Sequence, residues 1–210
     1  PPDTRFLYLS DVLPTAWQAV EYADIPAGGS VAVLGLGPIG QMCTRVAAHR
    51  GARVIGVDLV PERLAMAGLH GAETVPWSER EEVVERVREL TDGRGPDSVI
   101  DAVGTEAHGS PFAETVQRMA TLLPDRAGRA LQERVGSDRL VALLTAIDLV
   151  RRGGTISIIG VYVGVTDPLP MMRLFDKGVA IRMGQANVRR WVDDILPLLL
   201  DGDPLGTQDF

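Results

Sequence analysis

The feature that most restricts the fold is a glycine-rich turn set between an apolar run and a helical pattern. Val31-Ala32-Val33-Leu34 is continuously aliphatic, Gly35-Leu36-Gly37-Pro38-Ile39-Gly40 follows it at once, and Pro38 opens a helix that stops before Gly51. Each glycine has its own reason. The first permits a tight turn, the second leaves room for a pyrophosphate against the backbone, and the third lets helix and strand pack closely. Free N–H groups at the helix start then face the phosphates. Spacing alone is weak evidence, because glycine turns are common. Here, however, Asp58 closes the next apolar run 18 residues after Gly40. A carboxylate at that strand end accepts hydrogen bonds from ribose hydroxyls and repels a 2′-phosphate, so NAD is expected over NADP. An ordinary glycine turn with a surface Asp would not require strand, turn, helix, strand and acid in this order. Arg63, five residues on, is a secondary candidate for the adenosine end, beside its reading as an exposed helix residue.

Short apolar runs alternate with helical patterns along the whole chain, which predicts a doubly wound parallel sheet of six strands, a Rossmann fold of the α/β class. The strands are expected at Ser30 to Gly35, Arg53 to Asp58, around Glu73 to Pro76, Asp97 to Val103, Thr155 to Val161 and Val179 to Met183. Unbroken runs such as Ile156-Ser157-Ile158-Ile159 suit strands covered on both faces. Helices are expected over Pro38 to Arg50 and over Glu79 to Leu90, where Val83, Val87 and Leu90 recur at helical spacing. Val188, Trp191, Ile195 and Leu198 or Leu199 mark a last helix, with Pro197 arguing against a regular final turn. Trp191 reads as packing, not chemistry. Residues 105–139 mix Gly, Pro, Asp and Arg with short apolar groups and read as an insertion. Residues 1–210 are therefore expected to form one dinucleotide-binding domain.

Composition narrows the function. The 210 residues are 45% hydrophobic and 23% charged, with a formal net charge of −7. That balance offers nucleic acid or an anionic membrane no general attraction. No apolar run approaches the roughly 18 residues needed to span a bilayer, and no charged segment precedes an apolar signal core, so a cytoplasmic location is expected. Cys43 is the single cysteine, which excludes an internal disulfide and a thiolate-rich zinc site from this chain alone. His49, His70 and His108 show no metal-ligand spacing; two sit at helix ends, and only His108 follows a strand that could approach the crevice.

Three segments resemble the medium-chain zinc-dependent alcohol dehydrogenases: Leu9-Ser10-Asp11-Val12-Leu13-Pro14-Thr15-Ala16-Trp17, the run from Val31 to Gly40, and Val57 to Leu64. Asp101 to Gly109, Gly153 to Tyr162 and Ile181 to Gln185 resemble the glutathione-independent formaldehyde dehydrogenase-like branch. The likeness spans nearly the whole chain and is weakest over 105–139. It implies a substrate domain split around the coenzyme domain. The chain, opening on Pro1, would then be part of a longer protein and inactive alone. It further implies a catalytic zinc in that fuller protein, held by a Cys, a His and an acidic or Cys residue, of which Asp11 matches the last. From the residues alone the helix N-cap is the favoured reading of Asp11; the resemblance favours the ligand. By the same resemblance Thr15 packs near the nicotinamide and Gly160 and Val161 approach its carboxamide; Val103 ends the fourth expected strand, Met183 and Gln185 fall where the sixth emerges at that edge, and Gln185 reads equally as a polar loop residue. The implied reaction is hydride transfer to nicotinamide C4 from an alcohol or hydrated aldehyde whose oxygen zinc activates. A homo-oligomer joined through the coenzyme domains is also implied.

Other classes stay in view. A short-chain dehydrogenase needs a Lys four residues after a Tyr; the positions after Tyr8, Tyr22 and Tyr162 hold Val12, Pro26 and Thr166. A non-catalytic NAD/NADH-sensing module shares the glycine turn, since a fold does not establish chemistry. A methyltransferase also places an acid after a glycine-rich turn, but does not need the third, helix-opening glycine.

Overall fold

The computed structural model describes residues 3–103, 140–162 and 169–209. The expected insertion at 105–139, with His108, lies outside the described residues. A 3-10 helix (Asp3–Ser10) leads into α1 (Val12–Ala23), β1 (Ser30–Leu34), α2 (Pro38–His49), β2 (Arg53–Asp58), α3 (Pro61–Leu69), β3 (Glu73–Pro76), α4 (Arg80–Leu90) and β4 (Ser98–Asp101). After the undescribed segment come α5 (Val141–Leu149), β5 (Thr155–Ile158), α6 (Met171–Lys177), β6 (Ala180–Met183), α7 (Val188–Leu200) and a closing 3-10 turn (Thr207–Asp209). All six strands are parallel, in the order β3-β2-β1-β4-β5-β6. This is the Rossmann-type order, with its topological switch between β1 and β4.

Alternate side chains of β1 enter different cores. Val31 and Val33 join Leu13, Trp17, Met42, Val46, Leu64, Trp191 and Ile195, the inner faces of α1, α2, α3 and α7. Ala32 and Leu34 join Val83, Val87, Leu143, Ile147 and Leu174 from α4, α5 and α6. A sheet covered on both faces needs apolar residues at every position, hence the unbroken runs. Burying one Leu or Ile completely contributes about 1.5–3 kcal/mol, and Leu13, Leu34, Ile55, Ile100, Ile156 and Ile195 are all at most 2% exposed.

The boundaries differ from the expectations in physically simple ways. Asp97 does not open β4; its carboxylate takes bonds from the Ser30 N–H and hydroxyl at the foot of the sheet. β5 stops at Ile158 because the N–H groups of Ile159 and Gly160 both turn back onto the carbonyl of Asp101. Pro197 does not end α7, which continues to Leu200 with Pro197 exposed. Trp191, Ile195 and Leu199 bury the inner stripe of that helix, as packing requires. Among the described residues, no helix is long and apolar enough to cross a membrane.

Candidate coenzyme site

The glycine turn is built as its spacing demands. Gly35 has φ +83°, and a Cβ there would stand 2.8 Å from Val103 Cγ2. A Cβ on Gly40 would stand 1.8 Å from the Gly35 carbonyl oxygen, a contact only glycine avoids. Gly37, the N-cap of α2, has φ −66° and open space around its missing side chain. Pro38 begins α2 and Ile39 packs partly into the core. The turn is therefore tight beneath Gly35 and Gly40 and open above Gly37, the side on which a pyrophosphate would approach helix N–H groups that have no intrahelical partner.

Asp58 sits at the end of β2, 8% exposed. Its Oδ2 accepts the Leu36 N–H at 2.6 Å, inside the glycine turn, and its Oδ1 accepts the Val60 N–H at 2.8 Å. One carboxylate thus fastens the phosphate turn to the entry of α3. Arg63, half exposed in the first turn of α3, brings Nη1 within 3.7 Å of Asp58 Oδ2. Gln41, which no sequence motif singles out, donates from Nε2 to the carbonyls of Leu36 (3.2 Å) and Arg63 (2.7 Å), tying α2 to the same corner.

Beyond the switch point, the register Leu34↔Asp101 brings Val103 beside Gly35. Asp101, fully buried, accepts the Val103 N–H at 3.0 Å through Oδ1 and the Tyr162 hydroxyl through Oδ2. Burial first, and the Asp101 charge second, push the Tyr162 phenol upward, so it stays a donor at neutral pH. This pair locks the ends of β4 and β5 together beside Gly160 and the exposed Val161. The sequence offers no local sign of it, since the partners lie 61 residues apart. Met183 ends β6 and is 59% exposed; Gln185 lies two residues later, also exposed.

Helix α1 runs against the strands. Its C-terminal carbonyl at Ala23 accepts from Ser98 Oγ at the start of β4 (2.7 Å), so its N-terminus lies at the carboxyl edge. Asp11 occupies the N-cap position without a capping side-chain bond; instead its Oδ1 accepts the hydroxyl of Thr15 at 3.0 Å. The cap reading therefore holds for its place in the chain but not for its carboxylate. Thr15 is 6% exposed. All the candidate residues line one edge of the sheet, in two groups: the glycine turn with Asp58 and Arg63, and the ends of β4, β5 and β6 with the start of α1.

The described residues do not form a metal site by themselves. Among the described residues no three His, Cys, Asp or Glu side chains are gathered where they could hold a metal ion. Cys43 is fully buried, its thiol pushed up by desolvation and 3.9 Å from the Ala16 carbonyl, which makes it packing and not a thiolate ligand. His49 and His70 end α2 and α3. Asp11 supplies a carboxylate at the start of α1, where its Oδ1 accepts the Thr15 hydroxyl.

A family profile described as zinc-binding dehydrogenase matches residues 38–123. The chain is 34% identical, over 93% of its length, to the Mycobacterium tuberculosis protein named "Probable zinc-binding alcohol dehydrogenase Rv1895". The chain is a homologue of the zinc-type medium-chain alcohol dehydrogenases. Against the Pseudomonas putida formaldehyde dismutase, another homologue, it is 31% identical over 78% of its length. The solved alcohol dehydrogenase of Thermus sp. ATN1 superposes on 98% of it with a TM-score of 0.74 and 32% identity. The chain spans 41%, 36% and 51% of these three proteins. Within the alcohol dehydrogenase superfamily it corresponds to a Rossmann-type domain.

Proposed function

We propose that this chain is the NAD-binding domain of a zinc-dependent oxidoreductase that moves hydride between NAD and an alcohol or aldehyde hydrate. The observation that carries the reading is the glycine turn closed under Gly35 and Gly40, open at Gly37, and fastened to the Asp58 carboxylate. Each carboxylate oxygen of Asp58 holds one backbone N–H, which leaves acceptor capacity for ribose hydroxyls. Gly37, Pro38 and Ile39 cradle the pyrophosphate, and Arg63 borders the adenosine end. A dinucleotide crosses the switch point, so its second half falls over Val103, Gly160, Val161, Met183, Gln185 and Thr15. When bound, NAD supplies the hydride-accepting carbon. The residues of this chain hold the ring against that edge and shield it from water. Asp11 is the single zinc-ligand candidate among the described residues, whereas a catalytic zinc needs about three protein ligands; the fuller protein supplies the rest in this reading, and the chain alone is inactive.

The test is a set of titrations. NADH is expected to bind saturably and not to be displaced by S-adenosylmethionine. Asp58→Ala is expected to weaken NADH about tenfold and to narrow the preference for NADH over NADPH, because the 2′-phosphate no longer meets a carboxylate. Displacement by S-adenosylmethionine at comparable concentration would contradict the coenzyme assignment. In the fuller protein, NADH affinity without turnover of any alcohol or aldehyde would favour a sensing module.

A further inference from the structure

From its contacts we infer that Gln18 is a positioning residue for the nicotinamide half of the site, an inference that rests on the proposed coenzyme function. Gln18 lies in α1, one turn past Thr15, and is 1% exposed. Its Nε2 donates to the carbonyls of Gly184 (3.2 Å) and Gln185 (3.0 Å), and its Oε1 accepts the Asn187 N–H (2.9 Å) and the Trp191 indole N–H (3.1 Å). Two acceptors on one side and two donors on the other fix the amide orientation without ambiguity. All four partners lie 166 or more residues away in the chain.

The geometry gives this cluster a directed task. β6 is the outermost strand beyond the switch point, and its residues Ala180 to Met183 are exposed, so little apolar packing fixes the turn at its end. Gly184 has φ +158°, and the chain turns there from β6 toward α7. Gln18 ties this turn to α1 through the Gly184 and Gln185 carbonyls. The same helix carries Thr15 and Asp11 at the carboxyl edge. A displacement of the turn would therefore change the spacing between Thr15 and the Met183–Gln185 segment, on the nicotinamide side. The glycine turn follows β1, three strand spacings or roughly 14 Å from β6, and Asp58 ends β2, four spacings or roughly 19 Å away; neither is among the four partners of Gln18.

Gln18→Glu isolates the effect. A carboxylate still accepts from Asn187 and Trp191 but repels the carbonyls of Gly184 and Gln185. Once protonated, it donates to one of them again, and burial raises the pH at which this happens. Gln18→Met removes all four bonds and serves as the second variant. Affinities for NADH and for ADP-ribose, which lacks the nicotinamide, are measured between pH 6 and 8 on wild type and both variants. Wild type is expected to bind both ligands. Each variant should bind NADH about tenfold more weakly with ADP-ribose within twofold, and Gln18→Glu should recover NADH affinity as the pH falls. Equal losses for both ligands, or no loss for either, would overturn the positioning role while leaving the coenzyme site standing. Wild type binding neither ligand would overturn both. If Gln18→Met fails to fold, the pH-dependent recovery in Gln18→Glu decides the matter, and a flat profile rejects the inference.

Discussion

Gly37 and Gly40 separate two demands that a glycine motif usually confounds. A methyl group at Gly40 would collide with the Gly35 backbone oxygen, which cannot move without opening the turn. Gly40→Ala is expected to destabilise the chain by about 3 kcal/mol, the scale of a severe overpacking, and to abolish NADH binding. Gly37→Ala meets nothing within 4 Å at an ordinary φ of −66°. Its unfolding midpoint should stay within the ~0.5 kcal/mol of a neutral surface change, while NADH affinity drops about tenfold because the methyl occupies the space over the turn. Urea unfolding and NADH titration on the two variants check this; equal stability loss in both would show that the open face above Gly37 has no role.

Elements are stapled at the opposite end of the sheet by side chains far from any ligand. Asp97 receives Arg94 in a bidentate pair (2.8 and 3.0 Å), Arg151 (2.7 Å) and Ser30. The Arg94 bonds first, then Ser30 and Arg151, hold its carboxyl well below the usual carboxylate range despite burial. A depressed folded-state pKa contributes stability that is full above the unfolded value and is lost as pH falls below it. Asp97→Asn should therefore cost about 3 kcal/mol at neutral pH, flatten the acid limb of the stability curve below about pH 4, and leave NADH affinity unchanged. Lys177, the chain's single lysine, donates Nζ to the carbonyls of Ile147, Asp148 and Val150 and so caps α5 from α6. Lys177→Met leaves those carbonyls without that donor and should cost about 2 kcal/mol in urea unfolding. Neither staple is legible in the sequence. Apolar periodicity and the glycine spacing announce strands, helices and the phosphate turn locally, and β1 to β6 fall within the expected runs. The Tyr162–Asp101, Ser30–Asp97 and Trp191–Gln18 bonds pair residues 61, 67 and 173 apart, and no short window of sequence records which polar side chain will meet which distant group.

The whole molecule has two sheet edges of different character. β3 is short, carries the Arg53–Glu73 ion pair (2.6 Å) and ends on Pro76, devices that discourage strand pairing. β6 exposes Ile181 and Met183, and the helix leading into it exposes Met171, Met172 and Phe175. An exposed apolar edge of this kind marks an interaction surface, which supports a proposed homo-oligomer joined through these domains. Ile181→Lys is expected to shift sedimentation toward a monomer without weakening NADH; unchanged sedimentation of an oligomer would place the contact elsewhere. The central claim, a site for NAD built on the glycine turn and Asp58, is tested most directly by titrating the chain with NADH and with NADPH while following emission from Trp17, Trp77 and Trp191. Saturable NADH binding, with NADPH at least about tenfold weaker, is the predicted result. Saturation by neither coenzyme, or equal affinity for both, would contradict the account.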